Sequence, residues 1–176
     1  MKPVVQLDRT GCGIASVAAL AGVSYRQAQR VANRLGIFAD DPKLWSETDY
    51  VRRLLKEYGI RSASPELLPV TSWKALPDIA LLAVKWHKEG DRAFWHWVVF
   101  WRGPSGTVVL DSNRALRTQI RTDFGRMKPK WFIGIEASTR RRSGTPSSLT
   151  SRLAGPTRSQ TPSIASKTKT GAVARL

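Results

Sequence analysis

The chain reads as an α+β protein in which helices come first and an antiparallel sheet follows. Two observations carry this. Up to residue 58 the apolar residues recur at helical spacing between Gly and Ser punctuation, and from residue 79 they gather into continuous runs rich in β-branched and aromatic side chains. A third observation sets the end of the fold. From residue 138 the chain is mostly Ser, Thr, Gly, Pro, Ala and basic residues, without an aromatic or an acid, and cannot offset the entropy of ordering by apolar burial. The expected organisation is one domain over 1–137 and a disordered basic tail over 138–176.

Residues 12–22 (Cys-Gly-Ile-Ala-Ser-Val-Ala-Ala-Leu-Ala-Gly) are small and apolar throughout, which predicts a buried helix closed by Gly22 in the left-handed conformation. Ser24 is placed to cap a second helix over 25–35, with Ala28, Val31, Ala32 and Leu35 on one face and Gly36 ending it. Ser46 with Asp49 has the spacing of a capping box before a third helix, whose stripe is Tyr50, Val51, Leu54, Leu55 and Tyr58 and whose stop is Gly59. A short strand over 60–63 and a helical turn over 72–76 are weaker signals. Strands are expected over 79–86, 93–101 and 107–111, joined by turns at 88–92 and 103–106 into an antiparallel meander, with a fourth strand over 131–135.

Turn geometry sets the register. If residues 103–106 form a four-residue loop closed by Arg102 and Thr107, His96 faces Asn113 and Val98 faces Asp111. Asp111 then shares the sheet face of His96 as its diagonal neighbour, within reach of a carboxylate.

Cys12 is the only cysteine. In the first turn of a helix it meets unsatisfied N–H groups and the positive end of the helix dipole, which favour thiolate and so prepare a nucleophile. The plain alternative is a small buried hydrophobe, the commoner fate of a free cysteine. Gly11 and Gly13 are expected to leave the backbone open to substrate. The side-chain amide of Gln6 and the backbone N–H of Cys12 would make a two-donor site for an oxyanion. A thiol nucleophile also needs a base held by a third group. Of the two histidines, His87 lies in a polar turn, whereas His96 interrupts an apolar strand between Trp95 and Trp97 and is the stronger candidate.

Gln-x5-Cys at the entrance of an apolar helix, Gly-Cys-Gly around the thiol, His-Trp-Val-Val-Phe at 96–100 and Val-Val-Leu-Asp at 108–111 together resemble the papain-like cysteine peptidases, and most of all the C39 and C39-like group. The resemblance covers most of 1–136. It implies a papain-like fold and a catalytic set in chain order: Gln6 as oxyanion donor, Cys12 as nucleophile, His96 as general base, Asp111 as orienter, with Asn113 the alternative orienter. Gly11 stands where the family often has Asp, and Ser112 where Pro is common. The implied activity is hydrolysis of a peptide bond through an acyl-enzyme, with acyl transfer or deamidation as variants of the same machinery and an inactive binding module as the rival.

The remaining expectations follow from composition. One cysteine excludes an internal disulfide and suits a reducing compartment, so a cytoplasmic location is expected. No stretch approaches the ~20 apolar residues of a membrane helix. Neither a phosphate-binding glycine loop nor metal-ligand spacing of His and Cys occurs, so no cofactor or metal is expected. The net charge of +16 raises nucleic acid as a partner, but all 13 acids precede residue 137 and eight of the 29 Lys and Arg follow it, so half the excess lies in the tail. The expected partner is a protein or peptide substrate, with only weak, non-specific nucleic-acid binding through the tail. Stacking on the seven tryptophans is disfavoured, because Trp95, Trp97 and Trp101 lie on one side of a core-like strand.

Overall fold

A computed structural model of the chain describes residues 1–136; the expected boundary at 137/138 and the tail beyond it lie outside the described residues. Three helices, α1 (Cys12–Ala21), α2 (Tyr25–Arg34) and α3 (Asp49–Glu57), precede six strands: β1 (Leu68–Pro69), β2 (Ile79–Glu89), β3 (Arg92–Gly103), β4 (Gly106–Leu110), β5 (Ile120–Arg121) and β6 (Trp131–Gly134). The strands form one antiparallel sheet in the order β1-β6-β2-β3-β4-β5. The α+β reading is thus what is observed. Among the described residues no helix is long and apolar enough to cross a membrane.

The helix signals act as expected at most ends. Residues 12–19 of α1 are all buried, their small side chains letting the helix approach β3 closely, and Gly22 closes α1 at φ 69°. Ser24 and Gln27 form a reciprocal capping box on α2. The box expected of Ser46 and Asp49 does not form. Ser46 instead ends a 3-10 turn at Pro42–Trp45, its N–H bonding the Lys43 carbonyl, so α3 starts from Thr48 with no side-chain cap. Its hydroxyl accepts from Arg92 Nε at 2.7 Å. Residues 60–63 make only an isolated bridge, Ser62 with Ile135, and Ser72 accepts the Ala75 N–H in a turn that does not become a helix.

Both faces of the sheet are covered, which is why β2 and β3 read as continuous apolar runs and not as alternating ones. On one face Leu81, Ala83, Trp95, Trp97, Val99 and Ile133 pack against α1, α2 and α3. On the other, Leu82, Val84, Val98, Phe100 and Val109 pack with Leu76 and Met127. Burying a side chain such as Leu82 stabilises by about 1.5–3 kcal/mol.

The β3–β4 turn has the expected parity, since Arg102 faces Thr107, and is tighter by one pair because Gly103 also faces Gly106. β4 stays paired with β3 only as far as Leu110 opposite Val99, while β3 runs on to Arg92. That leaves an open stretch of β3 edge. α1 takes it: Trp97 N–H donates to Cys12 Sγ at 3.5 Å, and Ser16 Oγ donates to the Trp97 carbonyl at 3.2 Å. Cys12 and Ser16 are one helical turn apart on the same face, as such a bridge requires. On the other side of β3 the ladder to β2 is interrupted just past Val84 opposite His96, where Lys85 and Trp86 form a bulge. Lys85 is there at φ 55°, a left-handed conformation costing a non-glycine residue about 1–2 kcal/mol.

Candidate active site

Four segments of the chain build a line of side chains leading away from the thiol. The start of α1 supplies Cys12, β3 supplies His96, the residue following β4 is Asp111, and β5 supplies Arg121. His96 Nε2 lies 2.7 Å from Asp111 Oδ1. With Nε2–H donated to the carboxylate, Nδ1 is the ring atom left for the thiol. Asp111 has no exposed surface and its oxygens are fully used: Oδ1 also accepts the Asn113 N–H at 3.1 Å, and Oδ2 accepts Arg121 Nη1 at 3.1 Å. Arg121 in turn grips Asp123 through Nε at 2.9 Å and Nη2 at 2.7 Å. Asn113 contributes its backbone to this cluster, while its side chain accepts from Ala115 N.

The ionisation of these groups is coupled. Burial disfavours the Cys12 thiolate, but the neighbouring His96, with the N–H groups of Trp97 and Gly13, outweighs it and holds the thiol below its ordinary value. Burial likewise works against an imidazolium at His96, and the hydrogen bond to Asp111 and the thiolate reverse it, raising His96 to about 9. Asp111 falls to about 2, against its own desolvation, through His96, the Asn113 N–H and Arg121. A thiolate–imidazolium pair at neutral pH is what this arrangement favours.

Gln6 is close to the site and fully engaged. Its Nε2 donates to the carbonyls of Asp8 at 3.0 Å and Arg9 at 3.1 Å, its Oε1 accepts from Ser112 Oγ, and its N–H bonds the Ser112 carbonyl at 3.0 Å. This pins the 6–9 loop to the residue after Asp111. Gly11 and Gly13 do not leave open backbone, contrary to expectation. A Cβ at Gly11 would lie 1.9 Å from Tyr25 Oη, and one at Gly13 2.2 Å from Tyr50 Oη, so the two glycines exist to admit phenol rings. Tyr25 Oη donates to Asp8 Oδ2 at 2.9 Å, beside Gln29 Nε2 at 2.8 Å. Tyr50 Oη is buried without a partner. Burial pushes both phenols above their ordinary range, so they stay protonated. Cys12 itself is only 1% exposed.

Of the expected residues, then, Cys12, His96 and Asp111 come together, Gln6 lies one residue away from Asp111 through Ser112, and His87 is exposed and paired with Glu89 at 3.3 Å. Ser16, Arg121, Asp123 and the two tyrosines were not expected at the site from sequence, Tyr50 having been read only as part of the apolar stripe of α3. Ser16 alone carried a usable signal, being one turn beyond Cys12 and the one hydroxyl in an otherwise apolar helix. Among the described residues no three or more His, Cys, Asp and Glu are grouped to hold a metal. Compared with protein-family models, with curated proteins and with solved structures, the chain matches none.

Proposed function

We propose that the chain is a cysteine-type hydrolase of the papain-like, C39-like kind, acting on an amide carbonyl of a peptide or protein. The observation that carries this reading is the hydrogen bond of His96 Nε2 to Asp111 Oδ1 at 2.7 Å in a chain whose only cysteine is electrostatically coupled to the same imidazole. In the proposed reaction the Cys12 thiolate attacks the carbonyl carbon, forming a C–S bond and sending the π electrons to oxygen. The Cys12 N–H, at a helix start where it has no intrahelical acceptor, stabilises that oxygen. Gln6 becomes the second donor once its amide turns from the Arg9 carbonyl to the substrate. His96 then passes its proton to the leaving nitrogen as the C–N bond breaks. Water, losing a proton to His96, attacks the thioester and releases the acid with regeneration of the thiolate. Transfer to an amine or deamidation would use the same acyl-enzyme.

A second reading, a binding module that keeps this geometry without turnover, is favoured by the burial of the thiol and by the full engagement of the Gln6 amide. One experiment separates the two. Incubation with an amide-mimicking thiol electrophile near neutral pH, followed by intact mass measurement, should add one label to wild type and none to Cys12→Ala. His96→Ala should slow labelling by at least tenfold. Wild-type protein that stays unlabelled would refute the hydrolase reading.

A further inference from the structure

Beside the His96 side of the site the surface opens into a cleft of about 430 Å³ whose lining is dominated by cations: Lys85, Arg121, Arg126, Lys128 and Lys130, with Trp86 among them. It meets the proposed catalytic residues at two points, Val84, which pairs with His96 across the sheet, and Arg121, which is bonded to Asp111. Arg121 is already neutralised by Asp111 and Asp123. Lys85, Arg126, Lys128 and Lys130 make no ion pair among the described residues, and Lys130 Nζ sits 3.2 Å from the centre of the Trp86 ring. The β2 bulge that brings Lys85 and Trp86 to this cleft holds Lys85 in the one positive-φ conformation of a non-glycine residue in the described chain. Bulges of this kind re-aim side chains next to active sites, and strained backbone persists where the surrounding structure demands it.

We propose that this cleft is a substrate subsite for carboxylates, so that the enzyme prefers peptides with an acidic segment on the His96 side of the scissile bond. The proposal rests on the hydrolase reading. Like-signed charges in a concave wall focus potential and raise the local concentration of an oppositely charged ligand by a factor of 10 or more at low salt. A peptide is favoured over a nucleic acid because the cleft adjoins groups disposed for carbonyl chemistry, and because the tryptophan in its lining, Trp86, has a ring face covered by Lys130 Nζ at 3.2 Å from the ring centre.

The test uses the full chain and four reagents sharing one warhead: iodoacetamide, and iodoacetyl peptides ending in triglutamyl amide, triglutaminyl amide or triglutamine free acid. The second-order rate of Cys12 alkylation is measured for each at low ionic strength. The triglutamyl reagent should exceed its neutral analogue by about tenfold, and the ratio should fall toward about two in Lys85→Asn/Lys128→Gln and in 0.5 M salt. Triglutamine free acid distinguishes a terminal from a side-chain carboxylate: matching the triglutamyl rate would assign the cleft to a C-terminus, still a carboxylate subsite. A ratio near one, or a preference that survives the double substitution, overturns the proposal while leaving the hydrolase reading intact. Failure of iodoacetamide to label Cys12 removes that reading and the subsite with it. A short single-stranded oligonucleotide that abolishes the preference at lower concentration than a matched acidic peptide would assign the cleft to nucleic acid and also overturn it.

Discussion

Replacing Asp111 by Asn is the sharpest probe of the coupling between thiol and imidazole. Asn keeps an acceptor for His96 Nε2–H and nearly the same volume, but removes the charge that, with the thiolate, raises His96 from 6.5 to about 9. A displacement of that size corresponds to about 3 kcal/mol of preference for the imidazolium. With the carboxylate gone, only the Cys12 thiol still opposes the effect of burial on His96, and the titration of His96 is drawn down. The thiol loses its cationic neighbour at neutral pH and returns toward its ordinary ~8.5 or higher. The assay is the rate of iodoacetamide alkylation of Cys12 from pH 5 to 10. Because the thiol is buried, each rate is an opening equilibrium multiplied by thiolate reactivity, so the pH dependence and not the absolute rate is diagnostic. Wild type should reach half its plateau clearly below pH 8.5; Asp111→Asn should shift that midpoint upward by at least one pH unit and lose at least tenfold in rate at pH 7. Identical profiles for the two proteins would refute the coupling, and with it the assignment of Asp111 as orienter.

Stability should carry the same signature. His96 has a raised folded-state value, so its contribution is fully present below about pH 6.5 and is lost as pH rises through about 9; Asp111, lowered to about 2, contributes above about pH 4 and loses that contribution as pH falls through about 2. Thermal melts of wild type should therefore decline toward acid as pH falls to about 2; toward alkali the lowered Cys12 thiol, whose contribution grows as pH rises toward its ordinary value, offsets the loss from His96, so wild type should stay nearly flat there and Cys12→Ala should lose that offset. Gly13→Ala should destabilise by about 1–3 kcal/mol in urea titration, because its Cβ would collide with Tyr50 Oη, and Tyr50→Phe in the same chain should recover part of the loss. Ser16→Ala strips the Trp97 carbonyl of its hydroxyl donor at the buried edge of β3 and should cost about 1–3 kcal/mol in the same titration. Gln6→Ala separates two roles: an oxyanion donor loses on the order of 10²–10³ in kcat with KM little changed, whereas a loop clamp alone lowers the melting temperature and leaves kcat within a few-fold.

Local rules were legible where one residue or one period decides the outcome. Gly22, Gly36 and Gly59 all adopt positive φ at helix ends, and Ser24 caps α2, because capping depends on a few neighbouring backbone groups. Ser46 misled for the same local reason: a competing 3-10 turn upstream claimed its backbone first. The pairing of His96 with Asp111 was accessible from a strand pattern and a turn, since parity across a hairpin depends only on the sum of paired residue numbers. β1 and β5 escaped notice because two-residue edge strands have no period to detect.

By itself the sequence determined the order of the three helices and of β2, β3, β4 and β6, the thiol at a helix entrance and the sheet face shared by the imidazole and the carboxylate, all of which follow from periodicity and short-range geometry. Only the tertiary structure decided what surrounds them. Arg121 reaches Asp111 because β5 pairs it with Val109, Tyr25 and Tyr50 occupy the space beside Gly11 and Gly13 because α2 and α3 fold over α1, and Gln6 is held by Ser112 across 106 residues of chain. Such contacts depend on how elements distant in sequence stack on one another, and no local pattern encodes that stacking.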